Sequence, residues 1–154
     1  MLVCFRVNLV SLVIDENWIF DSVLANYLHR IKVVVKGTKI SQYLNGDYEG
    51  KIGRIVAAQK TSDRHEHEQT ARIQFFDPDE ERSFAVKYII PHEPKYSGEE
   101  VLVFGGKQKG MVLLVREKPE DEMIAVSSRQ NPVDFDYVPK RNMVALTEES
   151  GPSQ

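Results

Sequence analysis

Cysteine is almost absent from this chain. Cys4 is the single thiol in 154 residues, so no internal disulfide can form, and the His and Cys positions nowhere repeat at zinc-ligand spacing. A reducing compartment suits such a sequence. Also missing is any apolar run approaching the roughly 18 residues of a membrane-spanning helix. The densest stretch, Met1 to Ile14, is interrupted by Arg6, Asn8 and Ser11, and reads equally as a buried strand, a short amphipathic helix or an extension. A secretory leader is not expected there, because Asp15-Glu16-Asn17 follows where cleavage needs small residues. Excess charge of one sign is lacking too. The formal net charge is −3 and the pI about 5.8. Ten Lys or Arg meet ten Asp or Glu from Ile31 to Glu93, and eight meet eight from Pro94 to Thr147. Neither half is a generally basic nucleic-acid binder, so a basic patch has to come from arrangement. Finally, there is no G-x-S-x-G elbow and no phosphate-binding loop, and Cys4 has no His beside it.

What is present is alternation. Ile31, Val33 and Val35 alternate with Lys32, Val34 and Lys36, the period of a half-buried strand that Gly37 ends. After a polar loop, Gly50 and Gly53 stand three residues apart, immediately before Ile55 and Val56. Gly50 suits the positive φ of a tight turn, and Gly53 suits a sharp bend or a close backbone approach. The strand continues to Gln59, and a charged loop spans Lys60 to Gln69. Thr70 to Phe76 then places Ala71, Ile73 and Phe75 on one face and Arg72, Gln74 and Phe76 on the other. Asp77-Pro78-Asp79-Glu80 predicts a type I turn that pairs this strand with Ser83 to Val86. Tyr88, Ile89 and Ile90 are core candidates in the closing turn.

Pro91-His92-Glu93-Pro94-Lys95 is a stiff connector, because its two prolines fix φ and bias the residues before them to extended backbone. Beyond it the same order of events recurs, with strands over Glu100 to Phe104, Met111 to Glu117, Met123 to Ser127 and Asp134 to Val138, and a closing turn to Leu146. The recurrence predicts an internal repeat. Upstream, Asp15 or Asn17 is placed to cap a helix over Trp18 to Arg30, where Ile19, Val23, Tyr27 and Leu24, Leu28 fall at helical spacing. Trp18 alternatively begins a docking surface. Thr147 to Gln154 reads as a polar tail.

Tyr48-Glu49-Gly50-Lys51-Ile52-Gly53-Arg54-Ile55 resembles the glycine-centred KOW motif of the NusG-type transcription elongation factors. Val101 to Val112 resembles a second, degenerate copy about fifty residues later, keeping Gly110 but placing Leu113 where Gly53 stands in the first. The pair is similar to the C-terminal KOW pair in the large subunit of the eukaryotic DSIF elongation complex. The resemblance implies an all-β chain: two tandem SH3-like (KOW-type) barrels, residues 31–92 and 95–146, behind an N-terminal extension over 1–30. It also implies a nuclear, non-catalytic module of transcription elongation or RNA processing, whose partners are proteins of those assemblies, with RNA or DNA as further ligands. No cofactor, membrane or small-molecule substrate is implied.

Three candidate sites follow. Tyr48, Lys51 and Arg54 at the motif turn, with Lys36, Lys39 and Arg72, combine cations for phosphate with a ring for base stacking; the bland alternative is a solubilising strand surface. Tyr43, Tyr48 and Phe75 beside the carboxylates of residues 77–80 have the ingredients of a Tudor-like cage for a methylated lysine or arginine. Phe76 points to the opposite face from Phe75, so only one of the two fits a cage. His65-Glu66-His67 places two imidazoles on one face, but with no third or fourth ligand in view a solvated loop is expected and no metal. Glu49 with Asp77, or Glu80 with Glu81, reads as surface-turn carboxylates rather than an acid–base pair.

Overall fold

The computed structural model describes residues 16–59 and 69–148. Cys4 with the apolar start, the His65-Glu66-His67 triplet and residues 149–154 lie outside the described residues. Among the described residues ten strands form two five-stranded antiparallel sheets. The first contains β1 (Lys32–Val35), β2 (Ile52–Gln59), β3 (Thr70–Phe76), β4 (Asp79–Ala85) and β5 (Ile89–Pro91), in the order β4-β3-β2-β1-β5. The second contains β6 (Glu100–Val103), β7 (Val112–Val115), β8 (Met123–Ser127), β9 (Asp136–Pro139) and β10 (Met143–Ala145), in the order β10-β6-β7-β8-β9. Each sheet curls into a small SH3-like barrel, and the chain is two such barrels in tandem.

Alternation places the core. Val33, Val35, Ile55, Ile73, Phe75 and Phe84 are buried in the first barrel, and Val101, Val103, Val115, Ile124, Val126 and Val138 in the second. Each large apolar side chain contributes about 1.5–3 kcal/mol when fully buried. The repeat extends to individual backbone bonds. In the first barrel Gly50 N–H donates to Val35 O at 2.7 Å and Val35 N–H to Lys51 O at 3.0 Å. In the second, Gly110 N–H donates to Val103 O at 2.7 Å and Val103 N–H to Met111 O at 3.0 Å. Gly50 and Gly110 have φ of 80° and 92°, where an L side chain is strained. Gly53 has a different reason: a Cβ there would lie 2.5 Å from Gln74 O on β3. Leu113, its counterpart, is accommodated and buried in the second barrel.

Ile90, expected in the core with Tyr88 and Ile89, is half-buried on the outer sheet face because it pairs with the outward-facing Val34, and two further details differ from the sequence expectation. Phe76 pairs with Asp79, so the β3–β4 hairpin turns at Asp77-Pro78 alone, with a cis peptide between them. This brings Glu80 into the ladder opposite Phe75, within reach of Tyr48. Upstream, the predicted single helix is two 3₁₀ segments, Glu16–Phe20 and Ser22–Arg30. Asp21 separates them, caps the second by accepting from Val23 N–H at 3.1 Å, and has its pKa lowered by that bond.

The segment that begins with these turns belongs to the core. Trp18 is buried, donates Nε1–H to Ile89 O at 3.1 Å and packs on Phe104 of the second half, with ring centroids 5.7 Å apart. The barrels also join directly. Ile31 bridges Leu146, Ala145 N–H donates to His92 O at 2.8 Å, and Leu102, Val144 and Leu146 pack in the same apolar cluster as the first barrel. Around this seam Arg30 pairs with Glu100, and Lys32 with Glu99 at 3.6 Å. No helix among the described residues is long and apolar enough to cross a membrane.

Candidate functional site

The residues at the motif turn are dispersed. Tyr48 turns inward: its ring lies 5.4 Å from Phe75 and 5.3 Å from Phe84, and its hydroxyl donates to Glu80 at 2.6 Å. That bond raises the Tyr48 pKa. Lys51 and Arg82 lie over the Tyr48 ring, at 5.7 and 5.3 Å from its centroid. Arg54 sits on the outer sheet face between Lys32 and Gln74, reaching His29 O at 3.5 Å. Arg72 is on the same face but pairs with Glu81 at 3.2 Å. Lys39 is exposed on the short helix α1 (Thr38–Ser41), while Lys36 and Lys51 line a groove described below.

The cage candidates are packed on one another. Tyr43 lies 4.3 Å from Tyr88 and 6.0 Å from Phe84, and its hydroxyl accepts from Ala85 N–H at 3.1 Å. Phe75 is only 1% exposed. Tyr43, Tyr48 and Phe75 thus form one end of the first barrel's aromatic core, and Phe75 offers no face to a ligand. The burial of Phe75 follows from its inward place on β3 opposite Gly53.

Glu49 has a structural role. Its carboxylate accepts from the backbone N–H groups of Gly37 (3.2 Å), Thr38 (2.7 Å) and Lys39 (3.1 Å) and from Thr38 Oγ1 (2.7 Å). The Thr38 hydroxyl and these amides lower its pKa to about 2. It fastens the loop after β1 to the Gly50 turn.

An apolar stripe crosses the outer face of the first sheet. Val34 opposes Ile90 on one side and Ile52 on the other, and since Gly53 opposes Phe75, Ile52 lies beside Phe76. Ile52 and Phe76 are 38% and 47% exposed and stand side by side on the sheet surface. Over this stripe two adjoining cavities of about 440 and 590 Å³ share Ile52, His92 and Lys95. The far wall is Glu122, Lys140, Arg141 and Met143 from the second barrel, and Tyr96, 68% exposed, stands at the Phe76 end.

Electrostatics give this groove a sign. Lys36, Lys51, Lys95, Lys140 and Arg141 line it, and none makes an ion pair among the described residues. Three carboxylates, Asp77, Glu93 and Glu122, share the lining, and Lys32 is already paired with Glu99. His92 lies in the floor, 7% exposed, with its Nδ1 unpartnered. Burial, with Lys32 and Lys95 nearby, lowers its pKa.

Comparison with known proteins returns fold likeness alone. No protein-family model and no curated protein matches the chain. Two tandem-domain crystal structures are among the solved structures similar to it. The crystal structure of Arabidopsis thaliana AGDP1 AGD34 is 9% identical, over 86% of this chain and 91% of that one, with a TM-score of 0.33. The crystal structure of the ADCP1 tandem Agenet domain 3-4 is 11% identical, over 86% and 89%, with a TM-score of 0.31.

A further pocket, of about 300 Å³, lies on the second barrel between Met111, Leu113, Val126 and Phe135, and the charged residues in its lining are Asp134 and Asp136. The Arg116 guanidinium already lies 5.9 Å from the Phe135 centroid. Among the described residues no cluster of three or more His, Cys, Asp or Glu is placed to hold a metal ion. The sequence reading missed the groove, although Val34 between Lys32 and Lys36, and Phe76 beyond Arg72 and Gln74, are apolar residues on otherwise polar faces. That mismatch was its signal.

Proposed function

We propose that this chain is a non-catalytic docking module of a nuclear transcription or chromatin assembly, and that it binds its protein partner along the groove between the barrels. The observation that carries this reading is the Ile90–Val34–Ile52–Phe76 stripe, an apolar sheet face exposed at Ile52 and Phe76, half-buried at Val34 and Ile90, and walled by the second barrel. A photo-crosslinking residue in place of Tyr96 tests it in nuclear extract, with Ile40, 92% exposed and outside the groove, as the control position. Discrete adducts are expected from position 96 and not from position 40. Equal labelling from both, or none from position 96, removes the reading.

A second reading, recognition of a methylated lysine or arginine, draws support from the second barrel rather than from Tyr43, Tyr48 and Phe75. Phe135, Met111 and two aspartates are the chemistry a methylated cation needs, and Phe135 already holds a guanidinium. It requires that trimethyl-lysine peptides bind more tightly than unmodified ones and that Phe135→Ala abolish the difference. Equal affinity for both peptides counts against it.

A further inference from the structure

The groove's own chemistry narrows what it can hold, and this step rests on the docking reading above. We propose that its occupant is an extended peptide segment in which aliphatic residues alternate with Asp or Glu, lying across the strands of the first sheet.

Spacing is the first argument. From Ile90 on β5 to Phe76 on β3 the stripe crosses three inter-strand steps, about 14 Å at the usual separation. Same-face side chains of an extended peptide recur about every 6.6–6.8 Å, so three of them span the stripe and the two between face away. Alternation in the ligand follows. The inward residues are received by the aliphatic side chains of Val34, Ile52 and Ile90.

Charge is the second argument. The outward residues meet a rim carrying five cations that make no ion pair among the described residues, against three carboxylates. That surplus favours carboxylates and opposes a methylated lysine. It does not make a nucleic-acid channel. A phosphate backbone carries a charge at every nucleotide and would meet Asp77, Glu93 and Glu122 as well as the cations, whereas a peptide can place neutral residues there. Aromatic side chains for stacking bases stand at one end alone, Phe76 and Tyr96.

Fluorescence anisotropy of the full chain with a labelled twelve-residue peptide of alternating Leu and Asp tests the proposal. Saturable binding is expected, weakened at least tenfold by Ile52→Asp and by Lys140→Glu with Arg141→Glu, all at exposed or half-buried positions. Circular dichroism verifies that each variant keeps its fold. An alternating Leu and Lys peptide and an all-Asp peptide should each bind at least tenfold more weakly. Equal binding of either control, undiminished binding to the variants, or no binding of the Leu and Asp peptide overturns the proposal. Tighter binding of a twelve-nucleotide oligouridine, lost in the same variants, overturns it in favour of RNA. If crosslinks form at position 96 while the peptide does not bind, the occupant's chemistry is wrong and the docking reading stands.

Discussion

Single side chains hold the motif turn in shape, and each has its own measurable contribution. Glu49 neutralises four donors of the loop after β1, so Glu49→Gln should destabilise the protein by about 1–2 kcal/mol in urea unfolding at pH 7, through the loss of charge-assisted bonds. Folding lowers the Glu49 pKa from 4.5 to about 2. Its stabilisation is therefore complete above about pH 4.5 and is lost as pH falls through about 2. Over that window the variant should show a shallower fall in stability than the parent; parallel curves would mean that Glu49 contributes nothing through its charge. The two motif glycines separate two causes. Gly50→Ala meets no atom within 4 Å and incurs only the strain of φ 80°, about 1–2 kcal/mol. Gly53→Ala drives a methyl to 2.5 Å from Gln74 O and must part β2 from β3, so its loss of stability should be the larger. The reverse order would contradict the close approach.

At the scale of elements, the residues before β1 act as a wedge between the two barrels, and Trp18 is its point. Trp18→Phe keeps a ring but leaves Ile89 O without its donor, and should cost about 1–2 kcal/mol by thermal or urea denaturation. Trp18→Ala also opens a cavity and should cost about 3–5 kcal/mol; a cost below 1 kcal/mol would place the wedge outside the core. The strands were legible because alternation is local: Val33 with Val35, and Ile73 with Phe75, announce their buried face in the sequence alone. The helix was less so, since the spacing of Ile19, Val23 and Leu24 runs through Asp21, whose side chain ends one turn and begins another. Arg54 and Arg72 looked like members of a basic patch with Lys51. On the sheet each is drawn to a nearby acceptor instead, the carbonyl of His29 and the carboxylate of Glu81. The groove was legible on one wall only. Its other wall, Lys140, Arg141 and Met143, depends on how one barrel sits against the other, which no local pattern encodes.

Taken whole, the molecule should unfold as one unit despite its duplicated design. A barrel of about sixty residues is marginal alone, and here the seam is built from core rather than from surface. Leu102, Val144 and Leu146 of the second half pack in the first half's cluster, Trp18 touches Ile89 and Phe104, and His92 passes backbone bonds to both sides. Stability lost at the seam is consequently lost to both barrels. Leu146→Ala, at a side chain 4% exposed, should lower the opening free energy of amides in β3 and β8 by the same amount, about 2–4 kcal/mol. Native-state hydrogen exchange reads both at once. A loss confined to β8 would divide the chain into two independent folding units, and the groove between them would then be a hinge instead of a fixed wall.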